Sequence, residues 1–185
     1  MTIFALSTGP GISGLAVIRI SGSGCKTILQ KMVSGKMPKP RIATLRRINK
    51  INTSQLIDEG LILWFPGPKS YTGEDILEMH VHGSIAVIKA IQDSLSKVEE
   101  CRIAEPGEFT KLAFLNGKIN LLKAESIGDL IASETDIQRH QALDIMSGQH
   151  GMKYEKWRSQ LLKILSNVEA KIDFPEDDLP NDILG

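Results

Sequence analysis

Apolar and polar positions change rhythm once along this chain, near residue 118. Before that point short apolar runs alternate with turn residues; after it apolar positions recur at helical spacing and strand signals stop. Thr2 to Ser7 is a short apolar run ended by Thr8-Gly9-Pro10-Gly11, which predicts a strand and a turn. Leu15 to Ile20 is apolar except for Arg19, the pattern of a strand covered on both faces. Ser21 to Gly24 leads into a helical pattern from Cys25 to Val33, followed by a Pro- and Lys-rich connector. Arg41 to Ile51 and Leu56 to Phe65 flank Asn52-Thr53-Ser54-Gln55, which predicts a hairpin. After a loop from Pro66 to Asp75, alternation puts Leu77, Met79 and Val81 on one strand face and Glu78, His80 and His82 on the other. Ser84 suits the N-cap of a helix with the stripe Ile85, Ile88, Ile91, Leu95, Val98.

The stretch from Ala104 to Glu125 is tightly punctuated. Pro106 is placed to open a helix, Phe109, Leu112 and Ala113 form its stripe, and Asn116-Gly117 closes it. Lys118 leaves that closure on a corner fixed at both ends. From Leu121 two long helical patterns follow. The first carries Ala124, Ile127, Ile131, Leu143, Ile145 and Met146; the second carries Trp157, Leu161, Ile164, Leu165, Val168 and Ile172, with Gly148 and Gly151 at the break. An acidic, Pro-broken segment runs from Asp173 to Asp182. The predicted organisation is an α/β module over roughly residues 1–118 and a helical hairpin over the rest. Two narrow apolar stripes do not close a core by themselves, so the chain is expected to continue past Gly185 or to pair with a copy.

Composition narrows the classes. Lys plus Arg and Asp plus Glu are both 22, a formal net charge of zero, which speaks against a broad electrostatic footprint for nucleic acid. Cys25 and Cys101 are too few for a disulfide framework and read as reduced thiols. The first residues lack a basic leader, and no apolar run approaches the roughly 20 residues of a membrane span, so a cytoplasmic location is expected.

Arg19, a guanidinium in an apolar strand, calls for a carboxylate from Glu78 or from a ligand. Glu78 is a carboxylate able to accept two N–H bonds at once, as an aminopyrimidine edge offers them. His80 and His82 bind a metal only with a third ligand, and none is in view. Gly22 to Thr27 imitates a phosphate loop, but Cys25 and Ile20 stand where its two glycines are required.

Four motifs carry a family resemblance: AVIRISG (16–22), LWFPGPKSYTGEDILEMHVHG (63–83), AEPGEFTKLAFLNGKI (104–119) and KIDFPEDD (171–178). In this order the chain resembles the N-terminal part of the MnmE (TrmE) family, GTPases that modify C5 of the wobble uridine of certain tRNAs. The resemblance implies an α+β, tetrahydrofolate-binding, aminomethyltransferase-like domain over residues 1–118, followed by the first long helices of a helical domain over 119–185. It implies that Arg19, Glu78 and Lys118 contact a reduced folate, 5-formyl- or 5,10-methylene-tetrahydrofolate, with no catalytic residue of the chain's own. It further implies a homodimer through that domain, the flavoprotein MnmG (GidA) as partner, and tRNA reached through the complex. GTP, Mg²⁺ and K⁺ would belong to a G domain that this sequence lacks. Ser84 stands where the family usually has a second glycine and Asn120 where it usually has aspartate. Two other readings remain: a free-standing folate-dependent aminomethyltransferase using Glu78, His80 or His82 for proton transfer, and a dimerisation scaffold without ligand. Removal of the His80 imidazole is expected to matter little to folate binding.

Overall fold

The computed structural model describes residues 1–173. They divide into two compact units, Met1–Ile119 and the helices from Asn120 onward. The acidic tail and the last residues of the KIDFPEDD motif lie outside the described residues.

The first unit is an α+β domain. Its strands are β1 (Thr2–Leu6), β2 (Ser13–Gly22), β3 (Thr44–Asn49), β4 (Leu56–Phe65), β5 (Ile76–Gly83) and β6 (Cys101–Ile103). Its helices are α1 (Cys25–Met32), α2 (Ile85–Leu95) and α3 (Glu108–Leu115). The strands form one sheet in the order β3-β4-β5-β2-β1-β6. Every pairing is antiparallel except β1 with β6. Register builds the core row by row. Ile62 lies opposite Met79 and Met79 opposite Ile18; Trp64 opposite Leu77, Leu77 opposite Ile20 and Ile20 opposite Phe4. All are buried, together with Ile28, Leu29 and Met32 of α1 and Ile91 and Leu95 of α2. Each such side chain contributes about 1.5–3 kcal/mol on leaving water.

The opposite face is only partly covered, so the expectation of a doubly buried β2 fails at its middle. Val17 and Arg19 remain partly exposed while Ala16, Ile18 and Ile20 are buried. The reason is topological: antiparallel hairpins do not need a crossover helix on each face. Ser84 caps α2 by accepting the Val87 N–H, but Ile85 is exposed, and the helix ends at Leu95 before Val98. Pro106 lies in a turn before α3, which begins after Gly107 at φ 75°. The Glu108 carboxylate accepts both the Glu105 N–H and the Arg102 guanidinium, and so fixes this entry.

The second unit contains α4 (Leu121–Ala132), α5 (Asp136–Met146) and α6 (Gln149–Asp173). Asn120 caps α4 by accepting the Lys123 N–H. The first long helical pattern is in fact two helices. Thr135 and Gln138 form a reciprocal capping box that starts α5 afresh. Gly148, at φ 86°, ends α5, whereas Gly151 lies within α6. Trp157, Leu161, Ile164, Leu165, Val168 and Ile172 of α6 are exposed.

Candidate functional site

The partly covered sheet face brings the strand-borne residues together. Register sets Arg19 directly opposite Glu78, and Glu78 opposite Leu63. Arg19 donates from both Nε and Nη2 to Glu78 Oε1 at 2.8 Å. The two side chains are 31% and 14% exposed, so the pair is partly shielded from solvent screening. His80 Nε2 stands 3.3 Å from the other oxygen, Oε2. One carboxylate is thus held from two sides, by Arg19 across the strand pair and by His80 along its own strand.

Two aromatic rings complete this cluster, and sequence reading named neither as a site residue. The Arg19 guanidinium lies 5.7 Å from the Tyr71 ring and 5.8 Å from the Phe109 ring. Tyr71 comes from the β4–β5 loop and Phe109 from α3. Loop and helix are fastened to each other and to the sheet. The Tyr71 and Thr110 hydroxyls are 2.9 Å apart, and Asn116 Nδ2 donates to the Thr72 carbonyl at 2.7 Å. The buried Thr72 hydroxyl meets Ser21 at 2.7 Å, and Ser21 donates to Glu74. The available signal was the polar run Ser70–Asp75, but its partners are distant in sequence.

Lys118 arrives by a different device. Its N–H bonds the Ala113 carbonyl and that of Gly117 bonds Phe114, a Schellman closure with Gly117 at φ 65°. Its stem runs over the same loop: a Cβ on Gly73 would lie 3.4 Å from Lys118 Cδ and 3.2 Å from Asn116 Cβ. Tyr71 and Gly73 therefore touch the arginine end and the lysine end of one arrangement, with the Lys118 ammonium exposed.

The remaining candidates are engaged elsewhere. His82 donates its N–H to Asp58 Oδ2, and its ring Nδ1 lies 2.9 Å from Oδ1. Burial alone would push the Asp58 carboxyl up, but the His82 N–H and ring, with the Glu59 N–H, hold it below its ordinary range. Glu108 is lowered chiefly by its hydrogen bonds from Arg102. Burial raises the Cys25 thiol to about 12 and Cys101 to about 11, so neither is a ready nucleophile. The Gly22–Thr27 turn is filled by Thr2, whose hydroxyl accepts the Gly24 N–H at 2.8 Å. That packing, rather than a phosphate, uses the turn.

Chemically the cluster sets a carboxylate acceptor, aromatic rings and cations close together. Glu78 retains acceptor capacity on Oε2, since a carboxylate offers about four lone-pair sites. Aromatic rings flank the Arg19 guanidinium that holds it, and the exposed Lys118 lies against Gly73 of the same loop.

Comparison with known proteins fits this division of the chain. The family model described as the N-terminus of the GTP-binding protein TrmE matches residues 2–118, and that of the MnmE helical domain matches 121–184. A tRNA modification GTPase MnmE from Pelagibacter ubique is 65% identical over 184 residues, covering 100% of this chain and 42% of that protein. Its counterpart from a Wolbachia of Drosophila simulans is 52% identical, covering 95% of this chain and 39% of that protein. The mitochondrial 5-taurinomethyluridine-[tRNA] synthase subunit GTPB3 of Danio rerio is 46% identical, covering 98% and 36%. The chain thus spans about two fifths of the length of the curated relatives it matches. With one family matched across both units and two thirds of its positions shared with a named member, the chain belongs to the MnmE (TrmE) family, whose N-terminal and helical domain models it matches over residues 2–118 and 121–184.

Proposed function

We propose that this chain is the folate-binding and dimerising part of a cytoplasmic GTPase that modifies the wobble uridine of certain tRNAs. In this reading residues 1–118 have the tetrahydrofolate-binding fold shared with aminomethyltransferases, and 119–185 begin the helical domain. GTP, Mg²⁺ and K⁺ bind a G domain of the whole protein, and the flavoprotein MnmG is its partner. A reduced folate supplies a one-carbon unit when bound.

The observation that carries this reading is the Glu78 carboxylate, clamped by Arg19 and His80 yet still able to accept on Oε2. An ionised acceptor fixed in direction suits the N–H edge of a pterin, and its charge strengthens each bond. Tyr71 and Phe109 offer flat apolar surface next to the Arg19 guanidinium that holds this carboxylate. Lys118 suits the carboxylates of the folate tail. Arg19 already spends its guanidinium on Glu78, so its role is to hold that carboxylate in place. The same engagement favours a second reading, in which Arg19, Glu78 and His80 only stitch β2 to β5 in a scaffold that binds no ligand.

Titration calorimetry with 5-formyltetrahydrofolate separates the two. Glu78→Ala removes a paired acceptor and is expected to cost about 1–3 kcal/mol of binding, a loss of roughly 5- to 150-fold. Lys118→Ala, at an exposed position, costs about 0–1 kcal/mol. Unchanged affinity in a folded Glu78→Ala protein, or no binding by the unaltered chain, assigns the network to the scaffold.

A further inference from the structure

The chain's zero net charge conceals a segregation. Residues 31–50 carry Lys31, Lys36, Lys39, Arg41, Arg46, Arg47 and Lys50 and not one aspartate or glutamate, so the rest of the chain is acidic overall. The fold gathers this segment along one margin of the α+β unit. β3 is the terminal strand of the sheet, and the α1–β3 connector runs back beside it. Val33 bridges to Ile48, and Ser34 bonds the Arg47 carbonyl through both its N–H and its hydroxyl. Further on, the Arg41 N–H bonds the Trp64 carbonyl. Lys31, Lys36, Lys39, Arg41 and Arg47 are all exposed. Among the described residues one ion pair reaches the segment, Arg47 with Glu59, and at 3.9 Å between exposed groups it neutralises little.

Guarding an edge strand against aggregation is one known use of lysines. Here part of that edge is already covered by Val33 and Ser34, and seven cations without an acidic neighbour in sequence exceed that need. A further sign is Arg41, a non-glycine residue held at φ 62°, whose guanidinium donates to the Lys69 carbonyl and so keeps a second basic residue beside the strip. We propose that the β3 margin is a docking surface for the phosphate backbone of an RNA, contacted by sequence-independent ion pairs from Lys31, Lys36, Lys39 and Arg47. The choice of RNA among polyanions rests on the tRNA-modifying role proposed above; the charge segregation does not.

The test is fluorescence anisotropy of this chain with a labelled unmodified tRNA, titrated at several salt concentrations. Each phosphate contact adds nearly one to the slope of log affinity against log salt. Lys31→Gln, Lys36→Gln, Lys39→Gln and Arg47→Gln combined should weaken binding at least about tenfold and flatten that slope by roughly three. A charge-matched control, Lys89→Gln, Lys97→Gln, Lys123→Gln and Lys156→Gln, should bind as the unaltered chain does. Circular dichroism checks that both variants fold. Equal RNA binding by the strip variant and the unaltered chain, equal loss in the control, or no binding at low salt overturns the proposal. So does an acidic polypeptide of matched charge that binds the strip as tightly as RNA, which would give the surface to a protein partner. Folate titration runs in parallel: the strip variant should keep its folate affinity and Glu78→Ala its RNA affinity, so either reading can fail without the other.

Discussion

Glu78 is bound through each oxygen by a different strand, and this decides how substitutions near it are felt. Arg19 reaches Oε1 with two donors and His80 reaches Oε2 with one. A carboxylate held on one side only can rotate, and a ligand then spends binding energy on fixing it. His80→Ala is therefore expected to weaken 5-formyltetrahydrofolate by about 0.5–1.5 kcal/mol, the usual worth of one hydrogen bond, and less than Glu78→Ala does. His80→Gln, which can still donate towards Oε2, should recover part of the loss. A His80→Ala chain that binds as well as the unaltered one, the outcome expected from the sequence, would mean that Arg19 alone suffices to orient the carboxylate. The histidine's contact with Glu78 was hidden because alternation reveals which face a residue occupies but not which neighbour on that face it meets. Arg19 and Glu78 were legible for a simpler reason: a charge among apolar residues must find a partner, and β5 supplied a carboxylate at a matching register position.

At the scale of elements, what was legible were features decided locally. The two-residue period of β5, the Ser84 cap and the closure at Gly117 all depend on residues within a turn of one another. What was missed depended on competition or on distance. The apolar period running from α4 into α5 masked the Thr135–Gln138 capping box, though its spacing was visible in the sequence. Tyr71 and Phe109 meet Arg19 only because a loop and a helix from different parts of the chain converge. That convergence hangs on the end of α3, where Asn116 holds the loop and Gly117 turns the chain into Lys118. Gly117 sits at φ 65°, and a Cβ there would meet open space, so its substitution is penalised by backbone conformation alone. Gly117→Ala is expected to lower stability by about 1–2 kcal/mol, read as a fall in the unfolding midpoint. If the closure also aims Lys118, folate affinity falls in the same variant even at temperatures where it is fully folded. A stable Gly117→Ala chain with unaltered affinity would show that the corner positions nothing.

For the molecule as a whole, the consequence of a sheet with one well-covered face is an apolar surface that water disfavours. Leu45 lies opposite Leu61 on the partly covered face, and Leu61 opposite His80 in the same row as Val17. Leu45 is 57% exposed and Leu61 41%, and Leu15, farther along β2, is 52% exposed. Leu45 and Leu61 side by side, in one row with Val17, form a contiguous apolar strip rather than the single scattered residues that a monomer's surface ordinarily carries. The site cluster lies on this face, so a second copy seated there would shield Glu78 from solvent and strengthen its charged contacts. A symmetric pair presents the same patch twice, so any charge placed in it is met by its own like charge or by the partner's leucines. Equilibrium sedimentation of the unaltered chain at micromolar concentration is expected to give twice the monomer mass. Leu45→Glu together with Leu61→Glu is expected to return it to monomer without loss of helix or strand content, since both side chains already stand in solvent. Dimers that persist in that double variant would place the contact elsewhere, and a monomer throughout the concentration range in the unaltered chain would remove the dimer itself. If folate affinity falls along with the dimer although Glu78, Arg19 and His80 are untouched, the shielding supplied by the second copy is part of the site.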